Sequence, residues 1–483
     1  MHLPTIFRTI GFLLMLFSLI IFLPIIVSLI YQDGATLSFV HAGIITFAIG
    51  AGVYLPLRRH KKDLRTRDGF LITALFWIVL GLFGSIPLLL SEFPDLSVTD
   101  AVFESISGLT TTGATVISNL DSLPESILFY RQLLQWVGGI GIIVIAVAIL
   151  PMLGIGGMQL YRAETPGPVK DSKLTPRITQ TAKTLFLIYL SLTAVCTLSY
   201  WLAGMTFFNA ISHAFSTVAI GGFSTHDASM GYYADNPAIL VIACVFMIIA
   251  GINFALHFGA FSATNLKLYK RDTECWFYLR YIFFASILVS GMLFFYNTYT
   301  LEDSILYGVF QVVSITTTTG FVTTNFSVWP SALPLLLISF GFLGGCAGST
   351  GGGIKMIRFI LLAKQGLREL KQLIHPNAVI PLKLGKRVVD NRVIVAVWSF
   401  ISVYIMAFFV LTTIMMLSGL DFITAFSAVA ASINNLGPGL GSVAENFTSI
   451  NAFDKWVLCL AMLLGRLEVF TLLVIMTPAF WRR

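Results

Sequence analysis

The stretch "ITTTTGF" (315–321) sets four threonines and a glycine inside a chain that is otherwise overwhelmingly apolar. A near copy, "LTTTGAT" (109–115), stands much earlier. Two more glycine-bearing stretches, "AIGG" (219–222) and "NNLGPG" (434–439), fall into register with them when the four are aligned on Gly113, Gly222, Gly320 and Gly437. Twelve positions before each glycine stands a small residue: Ala101, Ala210, Gly308 and Ala425. Six positions before stand Ser107, Ser216, Ser314 and Ala431. Each glycine closes a short apolar segment (100–112, 209–221, 307–319, 424–436), and a long apolar segment with its own glycine patch follows: "VGGIG" at 137–141, "AGIN" at 250–253, "GGCAG" at 344–348 and "LGRLE" at 464–468. One unit, helix, short helix, glycine loop, helix, is written four times.

Around these units the chain reads as a polytopic membrane protein. It has 483 residues, 57% hydrophobic and 11% charged, against about 25% charged in a soluble domain. Ten long apolar segments can be marked, at 4–30, 36–56, 69–91, 128–150, 184–204, 237–263, 276–298, 333–362, 393–418 and 455–480. Each approaches the ~20 residues that span a bilayer. The four short segments are too short to cross and read as re-entrant elements. The expected fold is all-α: two N-terminal helices (1–68), then pore repeats over 69–182, 183–274, 275–390 and 391–483, arranged pseudo-fourfold around one pore. The five cysteines are scattered and read as packing residues.

Net charge is +7, and its placement argues topology rather than nucleic-acid binding. Basic clusters lie at 57–68, 162–183, 267–280, 355–392 and 482–483, and the alternate loops are acidic. All of the 30 Lys and Arg except Arg131, Lys455 and Arg466 fall on one side, which places both termini in the cytoplasm.

Irregular backbone at membrane depth is tolerated where protein buries it or where it lines a water-filled path. Four glycine loops can therefore converge, turn their carbonyls inward and replace the water shell of a cation. The short helices would aim their partly negative C-terminal ends at it. Threonine hydroxyls would brace the loops or bind the ion. Asp100, Asp303 and Asp421 lie where they can cap the short helices. Because the loops differ, the ring should select less sharply than four identical strands.

"SGLTTTGAT", "IGGFSTHDAS", "FLGGCAGSTGGGIK", "NNLGPGLG" and "GRLEVFTLL" resemble the Trk/Ktr/HKT potassium transporters, and most of all the bacterial Trk-type membrane subunit, over essentially the whole chain. The resemblance implies a cation filter at Thr111, Thr112 and Gly113; Ile220, Gly221 and Gly222; Thr318, Thr319 and Gly320; and Asn435, Leu436 and Gly437. It implies potassium (K+) as the transported ion, with no bound organic cofactor in this chain. It implies a homodimer in the bacterial inner membrane, with a cytoplasmic nucleotide-binding (ATP or NAD) subunit docked beneath.

Within the resemblance two further features take a gating role. In Gly344, Gly345, Cys346, Ala347, Gly348, Ser349, Thr350, Gly351, Gly352 and Gly353, ending at Lys355, six glycines among twelve residues preclude a continuous helix and should break the third unit's last helix. Arg466 stands at membrane depth, where an arginine costs at least ~2.5–3.5 kcal/mol and faces a cavity or partner. Lys355 either attracts the loop carbonyls or is an interfacial topology lysine. Coupled symport of potassium with protons or sodium is the alternative; its candidate relay residues are few, namely His213, His257 and Glu468. A membrane enzyme is not expected, since no catalytic or metal-ligand constellation is spaced along the chain. The chain carries no nucleotide fingerprint of its own, because "GGIGIIV" lies in an apolar span and follows no strand.

Overall fold

The computed structural model describes residues 1–60, 65–141, 178–262, 265–385 and 387–482. Among these, the one departure from helix and loop is a two-residue antiparallel pairing, Lys383–Leu384 with Arg387–Val388, placing Leu384 opposite Arg387. Two leading helices, α1 (Leu3–Ile21) and its continuation α2 (Leu23–Tyr31), pack on α3 (Thr36–Leu57). α1 and α3 meet backbone to backbone: a Cβ on Gly11 would lie 2.8 Å from the Gly50 oxygen, and one on Gly50 2.9 Å from the Gly11 oxygen. Small residues permit this approach where no hydrophobic effect drives helices together.

The four units follow in order. The first comprises α4 (Thr66–Gly84), α5 (Ile86–Leu90), the short α6 (Val98–Leu109) and α7 (Glu125–Gly139). The second has α8 (Ile178–Leu202), the short α9 (Phe207–Ala219), α10 (Pro237–Ala250) and α11 (Phe254–Ser262). The third has α12 (Thr273–Phe295), the short α13 (Leu301–Thr317), α14 (Leu333–Gly341) and α15 (Met356–Ile374). The fourth has α16 (Asn391–Leu417), the short α17 (Phe422–Ile433), α18 (Ala452–Arg466) and α19 (Phe470–Met476).

Six of the expected spans are continuous helices long and apolar enough to cross a membrane. Three are not. The break expected in the third unit is present between α14 and α15. The second and fourth units break as well, bending by 89° between α10 and α11 and by 114° between α18 and α19. The segment expected at 128–150 is described only to residue 141.

The short helices start and stop earlier than expected, and α13 is longer, at 17 residues. Caps explain the starts. The side chains of Ser97, Thr206, Thr300 and Asp421 accept from the amides of Asp100, Asn209, Asp303 and Thr424, at 3.1–3.2 Å. Asp421 is thus a cap, as expected. Asp100 and Asp303 are not: they sit three residues in and accept the cap hydroxyls of Ser97 and Thr300 at 2.8 and 2.9 Å.

Beside a buried apolar core, burial departs from that of a soluble protein at both extremes. Leu202, Phe295 and Leu417 are at least three-quarters exposed at helix ends, while Thr111, Thr112, Thr318 and Thr319 are fully buried. Apolar side chains face outward, as a lipid solvent requires, and the polar loops lie at the centre.

Candidate ion pathway

Each short helix ends in the same way. The amide at the residue before the aligned glycine reaches back five residues: Thr112 to the Ser107 oxygen, Gly221 to Ser216, Thr319 to Ser314 and Leu436 to Ala431, at 2.7–2.9 Å. The preceding amides of Thr111, Ile220, Thr318 and Asn435 bond to Gly108, Thr217, Ile315 and Ser432. This is a Schellman motif four times over, and it explains why Ser107, Ser216, Ser314 and Ala431 align. Its left-handed residue is ordinarily glycine. Here it is Thr111, Ile220, Thr318 and Asn435, with φ of +56°, +56°, +67° and +51°. β-Branched residues pay strain in this region, and such strain gathers at functional sites. The glycine comes two residues later, again left-handed, at +81°, +82°, +83° and +98° for Gly113, Gly222, Gly320 and Gly437.

The four loops close on one another. A Cβ on Gly113 would lie 2.1 Å from the Gly221 oxygen, one on Gly222 2.1 Å from the Thr319 oxygen, and one on Gly320 2.1 Å from the Leu436 oxygen. One on Gly437 would lie 2.8 Å from the Thr112 oxygen, which completes the cycle. Each glycine is therefore fixed twice, by its φ and by its neighbour's carbonyl. All four glycines also line one cavity of about 330 Å³, whose wall includes Thr115, Asp227, Asn325 and Glu445.

The threonine hydroxyls brace the loops. Thr110 bonds Thr112 at 2.8 Å, Thr317 bonds Thr319 at 2.7 Å, and Asn435 donates to the Thr112 hydroxyl at 2.9 Å. Behind the first and second loops stands a buried ion pair that the sequence reading missed. Arg131 Nε donates to Glu104 at 2.7 Å, with both side chains 1% exposed. Glu104 also accepts from the Val116 amide at 2.9 Å and the Thr115 hydroxyl at 3.0 Å, and Arg131 lies 4.2 Å over the Phe223 ring. Arg131 stood out only as an exception to the charge asymmetry; an acid on the neighbouring short helix was the available signal. Gln132 and Gln135, also on α7, donate to the Phe223 and Gly221 oxygens at 3.3 and 2.6 Å.

Beneath the ring lies the glycine-rich loop, residues 344–355. Gly344, Gly348 and Gly353 are left-handed, as is Lys355 at +80°. The loop touches the ends of three short helices. Thr350 Oγ1 donates to the Val218 oxygen at 3.0 Å, the Gly352 amide to Thr318 Oγ1 at 2.7 Å, and the Gly353 amide to the Asn434 oxygen at 3.0 Å. The contact is close enough that a Cβ on Gly352 would lie 2.0 Å from the Asn434 oxygen. The remaining side is met by Arg466, which donates to the Gly138 oxygen at 2.5 Å, the Thr350 oxygen at 3.2 Å and Thr111 Oγ1 at 3.3 Å. Lys355 Nζ donates to the Gly351 oxygen, so of its two readings the loop contact is the one formed.

The loop is anchored from outside by residues that sequence reasoning did not select. Glu274 Oε1, at the start of α12, accepts from the Ala347 amide at 2.8 Å, inside the loop, and from the Ile357 amide at 3.1 Å, in the first turn of α15. The break between α10 and α11 docks on it, with Cys346 donating to the Gly251 oxygen at 2.8 Å and Phe254 to the Gly348 oxygen at 3.0 Å. Glu468 does not share Arg466's role. It lies in the break between α18 and α19, where it and Val469 are both left-handed, and it pairs with Arg358 of α15.

Four pore-loop units closed into one ring, with a glycine loop and an arginine beneath it, define a polytopic pore-loop membrane protein. Residues 35–483 match the family described as TrkH, cation transport protein, and the chain belongs to that family. It is 54% identical over 483 residues to the Trk system potassium uptake protein TrkH of Escherichia coli K12, with 100% of both chains covered. It is 41% identical to the Trk system potassium uptake protein TrkG of the same strain, over 100% of this chain and 99% of that one. Among solved structures, the crystal structure of the potassium transporter TrkH from Vibrio parahaemolyticus superposes with a TM-score of 0.91 at 52% identity, over 100% of each chain. These relatives are transport proteins, not enzymes.

Proposed function

We propose that the chain carries potassium into a bacterial cell across its inner membrane, through a channel-like pore. The observation that carries this reading is the closed ring, in which the glycine of each loop packs on the carbonyl of the next. Carbonyls so gathered substitute for the hydration shell of a cation. Thr111, Thr112 and Gly113, Ile220 to Gly222, Thr318 to Gly320, and Asn435 to Gly437 form the filter; the loop 344–355 and Arg466 form the gate. The pore repeats run over 69–182, 183–274, 275–390 and 391–483, behind the extension 1–68. Both termini lie in the cytoplasm, two copies associate, and a nucleotide-binding partner on the basic loops opens or closes the gate.

The names of the relatives support potassium as the cargo. The resemblance supports it too: a serine in place of the first-loop glycine is associated with sodium transport in plant members of the superfamily, and here all four positions are glycine. The symport alternative is not favoured. His213 is bonded through both ring nitrogens, to the Asn209 oxygen at 2.9 Å and Ser224 Oγ at 3.0 Å. His257 is held by Tyr269 at 2.8 Å and the Ile249 oxygen at 3.0 Å, and Glu468 is paired with Arg358. Flux of potassium, rubidium and sodium into liposomes holding the purified chain tests the reading. Flux that follows the potassium gradient with no pH gradient is expected; strict dependence on a proton or sodium gradient would overturn it.

A further inference from the structure

The four loops share a backbone but not a filling. At the position before the ring glycine, three of them carry a side chain: Thr112, Thr319 and Leu436. The second carries Gly221. The backbone does not require glycine there, because the left-handed residues of that loop are Ile220 and Gly222, and Gly221 is not among them. Space requires it. A Cβ on Gly221 would lie 2.4 Å from Cδ and 2.5 Å from Oε1 of Gln135.

Gln135 comes from α7 of the first unit, is fully buried, and spends both ends of its amide on this one loop. Nε2 donates to the Gly221 oxygen at 2.6 Å, and Oε1 accepts from the Phe223 amide at 3.1 Å. The two partners fix the amide's orientation, since one needs a donor and the other an acceptor. In the fourth unit the exchange runs the other way. Leu436 projects from its loop onto α14 of the preceding unit, where a Cβ on Gly341 would lie 2.8 Å from the leucine Cδ2. In one case the loop supplies the side chain and the helix the glycine; in the other, the helix supplies the side chain and the loop the glycine.

We propose that Gln135 is a positioning residue that sets ion selectivity, by clamping the Gly221 carbonyl from behind. The inference rests on the reading of the four loops as a cation filter. A carbonyl oxygen has two lone pairs. Gln135 engages one, which fixes the direction of the carbonyl and weakens its field, and the other remains for the ion. The ring is thereby asymmetric by construction, and its asymmetry is set by a residue outside the filter.

The test uses the full chain in liposomes and reads the potassium-to-sodium and potassium-to-rubidium flux ratios. Gln135→Leu keeps the bulk and removes both bonds. Loss of one buried hydrogen bond at the ion should change the ratios about fivefold, with total potassium flux changing less. If the leucine variant does not fold, Gln135→Glu carries the test, because it keeps the acceptor for Phe223 and loses the donor to Gly221. Gly221→Ala alone should lower potassium flux at least about tenfold, as a hard contact in the filter demands. Adding Gln135→Ala should restore most of that flux while leaving selectivity poor. Unchanged ratios in Gln135→Leu, or losses in the double variant that simply add, would overturn the proposal. Gly320→Ser separates the two levels: if it shifts the ratios and Gln135→Leu does not, only this inference fails, and if neither shifts them the filter reading itself fails.

Discussion

Removing Arg466 should open the pore. Its guanidinium is one of the groups that join the fourth unit to the loop beneath the ring, through the Thr350 oxygen at 3.2 Å, and it ties both to the first unit through the Gly138 oxygen at 2.5 Å. The bond to Thr111 Oγ1, at 3.3 Å, is the weakest of the three. A hydrogen bond to a charged group contributes about 1.5–3 kcal/mol. The Gly138 bond anchors the arginine, and the Thr350 bond ties the arginine to the loop. Arg466→Ala therefore removes about 1.5–3 kcal/mol from the arrangement in which the loop fills the path. At about 1.4 kcal/mol per tenfold, the open-to-closed ratio rises by a factor of roughly 10 to 100. Loss of a positive charge beside the path acts in the same direction. The measurement is basal potassium flux into liposomes, with the chain alone and no cytoplasmic partner. Arg466→Lys keeps the charge but loses the planar fork, and should fall between wild type and the alanine variant. A folded Arg466→Ala protein with flux within about twofold of wild type would refute the reasoning. The loop would then be held by its other contacts, with Val218, Thr318 and Asn434 above it and with Glu274, Gly251 and Phe254 beside it.

Other expectations follow from single side chains. Glu274 uses one oxygen, Oε1, for the Ala347 amide of the loop and the Ile357 amide of α15, so Glu274→Gln should leave basal flux near wild type while Glu274→Ala should raise it. Glu104→Ala leaves Arg131 buried without its partner and should cost about 3–5 kcal/mol, read as a lowered melting temperature in detergent together with a loss of selectivity. Asp33, in the turn between α2 and α3, has its carboxyl pushed up by burial but held below its ordinary value of 3.8 by bonds from Ser126, Ser28 and Ala35 together. A depressed carboxylate contributes stability above its unfolded pKa and loses it as pH falls through the folded value. Melting temperature should therefore fall below about pH 4 in the wild type and less steeply in Asp33→Asn.

The spans and the fourfold unit were legible because both are written in periodic features: apolar length, and a glycine at the same register four times. The breaks in the second and fourth units were not. The third break is glycine-rich and shows in composition. The fourth is made by Glu468 and Val469, two non-glycine residues held at +51° and +56° by the surrounding packing, and nothing local in the sequence announces that. The second turns on "AGIN", whose single glycine differs little from glycines left inside straight helices. Cross-unit partners were illegible for a related reason. Glu104 with Arg131, and Gln135 with Gly221, are set by tertiary approach and carry no fixed spacing.

The threonines of "ITTTTGF" show how far register goes and where it stops. Alignment with "AIGG" argues that the backbone forms the ring, since isoleucine does what threonine does at the left-handed position. Three of the four hydroxyls are nonetheless spent: Thr317 and Thr319 on each other, and Thr318 on the amide of Gly352. That last bond joins a residue of the proposed filter to the proposed gate through one side chain. Ile220 offers its loop no such bond, and there Thr350 reaches up to the Val218 oxygen instead. The proposed filter and the proposed gate are thus joined by hydrogen bonds in this structure. Moving the loop must release Thr318, and the strain stored in its left-handed backbone is then opposed by one bond fewer. On the proposed reading, a gate built in this way changes the filter as it opens, so ion ratios measured in Arg466→Ala should differ from those of the wild-type chain.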